Sequence, residues 1–239
     1  MMAVEVKNLQ YKYPDGTVAL RGVNFWVKKG EKVYLLGPNG SGKSTLLLHF
    51  NGILKPQRGK VMILGKEISK WGEEVKRIVG LVFQNPDDQL FMPTVYEDVA
   101  FGPVNLKLDE SEVKKRVENA LKTVGMKGCE ERSPHHLSYG EKKRIAIATV
   151  LAMDPEILVL DEPTLSFDPW IKMSFIKLLK ELGKNRTIII SGHDFEVMEL
   201  CNRVYLMKNG RIAGEVKNKR NLQVLLNPRR TAKILEKGR

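Results

Sequence analysis

The sequence predicts an α/β fold, and three features of the 239-residue chain indicate it. An apolar run at Lys32–Leu36 is followed by a glycine-rich turn and by Leu46–Leu48, which is the order strand, turn, helix. A second apolar run, Ile157–Leu160, ends in two carboxylates and is typical of a strand buried in a parallel sheet. Between these runs, residues from about 92 to 152 have apolar residues at helical spacing, which indicates a helical segment inserted into the α/β core.

The composition, with 42% hydrophobic and 28% charged residues, fits a globular chain with a full core. No apolar run approaches the ~18 residues of a membrane span, and the first residues have no signal-peptide pattern. Cys129 and Cys201 match no metal-ligand spacing, so two free thiols in a reducing, cytosolic compartment are expected. The net charge of +12 leaves open a solvated surface, an anionic membrane surface or nucleic acid as its reason.

The amino-terminal residues predict a small antiparallel β-layer. Apolar residues in Val4–Leu9 lead to a turn at Pro14–Gly16, and Val23–Val27 continues as a strand. A further turn, at Lys29–Glu31, leads into the strand that precedes the glycine-rich segment. The β-layer is therefore expected beside that segment.

The glycine-rich turn at residues 37–45, GPNGSGKST, has the pattern G-x-x-x-x-G-K-[ST] in the context that a phosphate-binding loop requires. Glycines let successive N–H groups point into one concavity, and a helix from about Ser44 to about Gly52 adds its positive dipole end. Lys43 can reach the β- and γ-phosphates, and the Ser44 hydroxyl can ligate Mg²⁺. The predicted nucleotide contacts in this loop are Gly37, Asn39, Gly40, Ser41, Gly42, Lys43, Ser44 and Thr45.

Two positions outside the loop join the predicted nucleotide site. An aromatic ring near the first turn can stack on a base, and Tyr13 is favoured over Tyr11 for this role. Gln84 directly follows a predicted strand at Ile78–Phe83, where a side chain is well placed to orient a water or to ligate Mg²⁺.

Two helix starts are predicted within the inserted segment. Asp109 and Glu112 resemble a capping box, and Gly125 ends the helix that they begin. Ser138 is the predicted N-cap of a second helix, with Glu141 as its partner at the third helical position.

Two carboxylates and a histidine follow later strands. Because ligands of parallel sheets lie beyond the carboxyl ends of the strands, Asp161 and Glu162 are expected near Lys43. Asp161 is placed to hold Mg²⁺, directly or through water, and Glu162 is placed to polarise an attacking water. His193 follows the predicted strand Thr187–Ser191 on the same side and is a predicted phosphate contact.

The carboxyl-terminal third ends in a predicted hairpin and a basic tail. Apolar runs on either side of Asn209-Gly210 predict the hairpin at residues 203–216. The main domain is expected to span residues 1–218, and residues 219–239 are expected to form a basic tail that is either helical or loose.

The motifs, taken in order, are similar to those of the ATP-binding subunits of ATP-binding-cassette (ABC) transporters over almost the whole chain. The signature of that family, usually written LSGGQ, is matched by Leu137–Glu141, LSYGE. The other matches are Walker A at 37–45, the A-loop aromatic at Tyr13, the Q-loop glutamine at Gln84, Walker B and the catalytic glutamate at Asp161 and Glu162, the D-loop at 166–168 and the switch histidine at His193. The signature and the glutamate after Walker B make this set far more specific than Walker A alone.

The resemblance implies a P-loop NTPase with a RecA-like core and a head-to-tail dimer that uses ATP and Mg²⁺. Each ATP would lie between Walker A of one subunit and the signature helix of the other, with contacts from Ser138, Gly140 and Asp168. It implies that Glu162 activates water, that His193 and Gln84 sense the γ-phosphate, and that Gln84 also ligates the metal.

The implied partners are a second ATP-binding subunit, identical or different, integral membrane transport subunits and a solute-binding membrane component. The implied location is the cytoplasmic face of the cell membrane, as a peripheral protein. No nucleic acid partner is expected, since the chain lacks a long heptad arm between the Walker motifs and lacks arginine–aromatic clusters.

Two signature residues depart from the family pattern. Tyr139 replaces a glycine, and a helical conformation at this position is expected to tolerate it. Glu141 replaces the usual glutamine, which improves the capping box but places a carboxylate near the phosphates. The segment from Phe83 to Phe91 resembles the Q-loop of energy-coupling-factor importers, including their cobalt and nickel branch, and this resemblance implies that Gln89 is part of the surface that docks on the membrane subunit.

The predicted function is an ATPase that energises import of a vitamin or transition-metal ion through separate membrane subunits. One alternative is the ATPase of another importer, such as one for amino acids or phosphate. Another alternative is a soluble ABC ATPase that acts on nucleic acid or ribosomes, which the net charge of +12 would suit.

Overall fold

The computed structural model describes residues 1–165, 167–184 and 186–216. Its strands are β1 Met2–Lys12, β2 Val18–Lys28, β3 Lys32–Leu36, β4 Arg58–Ile63, β5 Lys66–Glu67, β6 Val79–Val82, β7 Ile157–Leu160, β8 Thr187–Gly192, β9 Arg203–Lys208 and β10 Arg211–Val216. Its helices are α1 Lys43–Leu48, α2 Val75–Ile78, α3 Val95–Asn105, α4 Glu110–Thr123, α5 Tyr139–Leu151, α6 Pro169–Leu182 and α7 Phe195–Met198. The predicted tail at 219–239 and the D-loop residue Ser166 lie outside the described residues.

The strands form two sheets, as the sequence predicts. The amino-terminal sheet has the order β2-β1-β4-β5 and is antiparallel. The central sheet has the order β10-β9-β3-β8-β7-β6, and its strands are parallel apart from β10, which forms the predicted hairpin with β9. The turn of this hairpin is Asn209-Gly210, and both residues have positive φ, as such tight turns require.

The central sheet is buried on both faces because its side chains alternate between two apolar cores. On β3, Val33 and Leu35 pack toward the amino-terminal sheet, whereas Tyr34 and Leu36 pack toward the helices. The same alternation holds along β7, where all four residues are buried. Burial on both faces explains why these strands read as continuous apolar runs.

Strands β6 and β7 pair directly, and the chain between them forms α3, α4 and α5. These helices pack into the same core as one face of the central sheet. The first of them, α3, has a complete Thr94–Glu97 capping box that was not among the predicted helix starts.

Two local predictions need correction. Asp109 is the N-cap of α4, but Glu112 pairs with Arg116 instead of completing a capping box. The helix after the phosphate loop ends at Leu48 rather than near Gly52, because the next N–H groups bond carbonyls three residues back and tighten the last turn.

Candidate nucleotide site

The phosphate loop joins β3 to α1 and is packed so closely that only glycine fits at two positions. A Cβ on Gly37 would lie 2.2 Å from the carbonyl oxygen of Met207, and one on Gly42 would lie 2.6 Å from that of Ala19. Gly42 also has a φ of +100°, which other residues rarely adopt. The amino-terminal sheet and the β9–β10 hairpin therefore hold the loop from behind.

Lys43 is almost completely buried at the centre of the site. Its Nζ atom donates to the carbonyl oxygens of Gly37, at 2.8 Å, and Pro38, at 3.2 Å. It also lies 3.3 Å from Oε1 of Glu162, which makes a buried ion pair. The predicted convergence of the phosphate loop and the strand-end carboxylates is therefore present in the fold.

Asp161 and Glu162 are both buried beyond the carboxyl end of β7, and Ser191 of β8 connects them. The Ser191 hydroxyl donates to Oδ1 of Asp161 and accepts a hydrogen bond of 3.0 Å from the backbone N–H of Glu162. Glu162 has a φ of +43°, a left-handed conformation that costs a non-glycine residue roughly 1 kcal/mol or more. The neighbouring strand thus fixes both carboxylates, through a serine that sequence reasoning did not assign.

His193 completes the cluster from the end of β8. Its Nε2 atom lies 3.1 Å from Oδ1 of Asn39 and 3.5 Å from both Nζ of Lys43 and Oε1 of Glu162. Burial, together with the Lys43 ammonium, lowers the pKa of the imidazole, so the neutral ring predominates at neutral pH. Its loop is held by a 2.8 Å ion pair between Lys172 and Asp194.

One cavity of about 350 Å³ lies beside the Lys43 cluster, which consists of Lys43, Glu162 and His193. This cavity is lined by Ser44, Gln84 and Asp161. Each supplies an oxygen, and a hydroxyl, an amide and a carboxylate are ligand types that Mg²⁺ accepts. Gln84 is exposed and Asp161 is buried, so this cavity connects the solvent with the deep end of the site. The three predicted metal ligands are therefore neighbours around a single space.

The structure distinguishes the two candidate tyrosines. The hydroxyl of Tyr13 lies 3.0 Å from Oγ1 of Thr45, at the end of the phosphate loop. Tyr11 packs edge-on between the ring of Tyr13, at 5.1 Å, and that of buried His49, at 5.0 Å. Tyr11 is therefore a packing residue, whereas Tyr13 borders the phosphate loop.

Ser138 begins α5 with the predicted capping box. The Ser138 hydroxyl accepts from the backbone N–H of Glu141, and the Glu141 carboxylate accepts from the N–H of Ser138 at 2.8 Å. Arg132 also contacts this carboxylate at 3.1 Å. The hydrogen bonds from Ser138, with help from Arg132, lower the pKa of Glu141. The carboxylate that replaces the family glutamine is thus engaged in helix capping.

The remaining signature and D-loop residues are placed by local contacts. Tyr139 is the first residue of α5, in the helical conformation expected for it. Gly140 is buried, and a Cβ there would lie 2.9 Å from Cδ1 of Ile171. Asp168 is the N-cap of α6, and its Oδ1 accepts from the N–H groups of Trp170 and Ile171. In the part of the chain that the structure describes, no hydrogen bond or ion pair joins Ser138, Gly140 or Asp168 to the Lys43 cluster.

Sequence reasoning missed Lys143, which is fully buried on α5. Its Nζ atom donates to the carbonyl oxygens of Phe83, at 2.8 Å, and Gln84, at 2.6 Å. Burial lowers the pKa of Lys143 to about 8, against the opposing effect of Asp161 and Glu162. No local pattern distinguishes this lysine from its partly buried neighbours Lys142 and Arg144.

Gln89, which the resemblance places in the surface that docks on the membrane subunit, is half-buried in the structure. Its Oε1 atom accepts from the N–H of Phe83, and its Nε2 atom donates to the carbonyl oxygen of Ala146 and to Oγ1 of Thr149. These three hydrogen bonds direct the side chain into the molecule, where it ties the segment after β6 to α5.

The fold and the site together define a P-loop NTPase with a helical insertion. The family model described as "ABC transporter" matches residues 20–165, which is more than half of the chain. The chain belongs to the ABC transporter family, and it is an ATP-binding, ATP-hydrolysing subunit of that family.

The curated relatives agree with the predicted subtype. The energy-coupling factor transporter ATP-binding protein EcfA of Methanocaldococcus jannaschii is 59% identical over 220 residues, which are 90% of this chain and 79% of that protein. The EcfA protein of Methanococcus maripaludis is 56% identical over 217 residues, covering 89% of this chain and 78% of that protein. The prediction of an energy-coupling-factor ATPase is confirmed by these relatives.

Solved structures agree with the fold. CbiO1 from Clostridium perfringens, described as part of the ABC transporter complex cbiONQ, is 42% identical with a TM-score of 0.82 over 98% of both chains. The ATP-binding cassette MJ0796, described as a dimer in a post-hydrolysis state bound to ADP and Pi, is 31% identical with a TM-score of 0.81, covering 90% of this chain and 98% of that one. The predicted α/β fold class is confirmed.

Proposed function

We propose that the chain hydrolyses ATP to energise import of a cobalt or nickel ion or a vitamin through separate membrane subunits. The single observation that carries the ATPase proposal is the cluster of Lys43, Glu162 and His193 against the phosphate loop. The names of the relatives and of the cbiONQ complex support the transport part.

The site fits a bound triphosphate because it holds hydrogen-bond donors for the phosphate oxygens, and one of these donors has no partner in the part of the chain that the structure describes. The Ser41 hydroxyl is buried in the phosphate loop with no hydrogen-bond partner among the described residues. Lys43 bonds its own loop and Glu162, contacts that an anionic phosphate can replace. The same loop contains the other proposed nucleotide contacts, Asn39, Gly40, Gly42, Ser44 and Thr45. Tyr13 borders the loop, and we propose that a base stacks on its ring.

Glu162 is the proposed general base. In the structure its carboxylate lies beside Lys43 and His193. When a phosphate takes over the contact with Lys43, the carboxylate becomes free to accept a proton from a water beside it, while the loop donors stabilise the phosphate charge. His193 and Gln84 are the proposed γ-phosphate sensors. When bound, Mg²⁺ would neutralise phosphate charge, and Ser44, Gln84 and Asp161 are the residues that would hold it.

The signature and D-loop residues are proposed to serve a second subunit. Ser138, Gly140 and Asp168 have no hydrogen bond or ion pair to the Lys43 cluster within the described chain, although α5 starts with a well-capped helix end. A helix N-terminus attracts anions, so α5 suits the ATP of a partner in a head-to-tail dimer. The dimeric relative bound to ADP and Pi supports this arrangement. The partner is an identical or a related ATP-binding subunit.

The proposed contact with the membrane subunit is an apolar patch beside the Q-loop, formed by Phe91, Phe101 and Val104. These side chains are 61%, 44% and 57% exposed, and the two rings meet edge-on at 5.0 Å. Asp98 holds the loop that carries Phe91 by accepting from the N–H groups of Phe91 and Met92. Exposed apolar groups of this kind suit a protein partner. We therefore propose that the chain is a peripheral protein at the cytoplasmic face of the membrane. A nucleic acid partner is not expected.

No helix within the described ranges is both long and apolar enough to cross a bilayer. The experiment that tests the transport proposal is purification of the chain from solubilised native membranes, followed by mass spectrometry of what remains bound. Recovery with an integral membrane scaffold and a small capture protein is expected, and the capture protein would identify the solute. Recovery with ribosomes or nucleic acid in the soluble fraction would contradict transport and leave the ATPase chemistry standing.

A matched variant sharpens the same experiment. Phe91→Ser together with Phe101→Ser removes both rings of the apolar patch, and Trp170→Ser is the control because Trp170 is an aromatic and more exposed side chain on α6. The double variant is expected to lose the membrane scaffold and keep ATP hydrolysis, whereas the control keeps the scaffold.

A further inference from the structure

We propose that Tyr139 and Lys143 are positioning residues that couple the two nucleotide sites of a dimer by fixing the main chain of Gln84 to the signature helix. The inference rests on the proposed function, because it assumes the head-to-tail dimer in which α5 faces the ATP of the partner. It also gives a role to the tyrosine by which this signature departs from the family pattern.

The carbonyl oxygen of Gln84 accepts two hydrogen bonds from α5. Nζ of Lys143 donates at 2.6 Å and the hydroxyl of Tyr139 donates at 3.2 Å. Tyr139 and Lys143 are four residues apart in the sequence, so they lie on one face of the helix. Two donors satisfy both lone pairs of one carbonyl oxygen, and Lys143 donates to the preceding carbonyl of Phe83 as well.

Because Lys143 is buried, breaking its hydrogen bonds to the main chain would be costly. A fully buried ammonium is costly unless acceptors and counter-charges surround it, and here two successive carbonyls are the acceptors. The carboxylates of Asp161 and Glu162 favour its positive charge. A shift of α5 relative to the end of β6 would leave that charge without its acceptors, so the helix and the Gln84 backbone are expected to move together.

Each end of this connection belongs to a different nucleotide site. The side chain of Gln84 lines the cavity of Ser44 and Asp161, on the chain's own phosphate loop, and Tyr139 lines the same cavity. Ser138, directly before Tyr139, caps the end of α5 that faces the ATP of the partner in the proposed dimer. When the nucleotide of the partner binds α5, Gln84 would therefore be repositioned at the chain's own site. Binding at one site would then change the properties of the other, and the size of this effect is a coupling free energy.

A purely structural role predicts a different outcome from coupling. If these hydrogen bonds served stability alone, removing them would lower the unfolding temperature and leave the ATP dependence of turnover unchanged in shape. If they couple the sites, removing them lowers kcat and the cooperativity in ATP while each chain still binds ATP with normal affinity.

The test compares the full-length variants Lys143→Met and Tyr139→Phe with two controls. Lys142→Met is a matched control, because Lys142 is the adjacent lysine and bonds the exposed carboxylate of Asp87 rather than Gln84. Tyr96→Phe controls for the loss of a phenolic hydroxyl elsewhere in the helical segment. Turnover against ATP concentration gives kcat, KM and the Hill coefficient, equilibrium binding of ATP without Mg²⁺ gives the affinity, and thermal melting reports the fold.

Lys143→Met is expected to lower kcat about tenfold, because it loses two charge-assisted hydrogen bonds, and Tyr139→Phe about threefold, because it loses one neutral hydrogen bond. In both variants the Hill coefficient is expected to fall toward about 1, while ATP affinity stays within about twofold of wild type. Lys143→Arg, which keeps a cationic donor, is expected to recover part of both losses. Both controls are expected to match wild type.

Unchanged kcat and Hill coefficient in Tyr139→Phe and Lys143→Met would overturn the inference, as would a wild-type Hill coefficient of about 1. If Lys143→Met does not fold, Tyr139→Phe and Lys143→Arg decide the question by the same readouts. A wild-type chain that neither hydrolyses ATP nor dimerises would instead defeat the proposed function itself, so the two failures are distinguishable.

Discussion

The phosphate-loop region and the signature region of this chain are built in opposite ways. Lys43, Glu162 and His193 come from distant parts of the sequence, and they contact one another within one chain. Ser138 and Glu141 are neighbours in sequence, and their hydrogen bonds are mostly to each other. The contacts of the first region lie within one chain, whereas the second region presents a capped helix end with no hydrogen bond or ion pair to the first among the described residues. This difference supports the proposed head-to-tail dimer, in which the signature end of one chain meets the ATP of another.

The largest expected effect comes from breaking the phosphate-loop region at Glu162. Glu162→Gln removes the proposed general base, so turnover is expected to fall about 10²- to 10⁴-fold while ATP binding persists and the dimer accumulates. Steady-state hydrolysis, nucleotide binding and size-exclusion chromatography with ATP check this. Glu156→Gln, an exposed glutamate just before β7, is the control. Turnover near wild type in Glu162→Gln would show that another group is the base.

A mixture of two variants, each with a substitution in a different region, tests whether the two regions act together across chains. Lys43→Ala disables the phosphate loop, and Ser138→Arg blocks the signature end of α5. Each variant alone is expected to be inactive, whereas their mixture is expected to regain turnover, because one site of the mixed dimer combines an intact loop with an intact signature. ATP hydrolysis of the mixed proteins against each alone measures this. A mixture as inactive as its components would contradict the sharing of sites between chains.

A smaller effect is expected when the signature cap alone is removed. Ser138→Ala loses one N-cap, which costs about 1 kcal/mol of unfolding free energy and lowers the melting temperature by roughly 2–4 °C. Asp109→Ala removes the cap of α4 and is expected to cost about the same. Only Ser138→Ala should also reduce turnover. Equal turnover of the two variants would mean that the signature serine acts in folding alone.

The smallest expected effect concerns acid stability of the phosphate-loop region. Burial lowers the pKa of His49 below its ordinary value of 6.5, and its Nδ1 atom contacts the carbonyl oxygen of Thr45 at 2.7 Å. The unfolded chain takes up a proton that the folded chain resists, so this stability is fully present above the ordinary pKa and is lost as the pH falls below it. The decline of unfolding free energy from neutral to mildly acidic pH should be shallower in His49→Gln than in wild type. His135→Gln, at an exposed histidine, should decline as wild type does.

Elements whose causes are local, or follow from a general rule of sheets, were predictable from the residues alone. The Ser138–Glu141 capping box was predictable because its atoms lie within one turn, and the phosphate loop because its glycines have a fixed spacing. Asp161, Glu162 and His193 were placed by the rule that parallel strands present their carboxyl ends to one side of a sheet.

The side chains that hold these groups in place were not predictable, because their contacts arise from long-range packing. Ser191, Gln89 and Lys143 bond atoms brought close by the packing of β8 against β7 and of α5 against the segment after β6. Most of their partners are backbone groups, which every residue carries, so no residue type marks the contact in the sequence. A lysine within a basic run is typical of a solvated surface, and only its burial under the fold shows that it binds the main chain of Gln84.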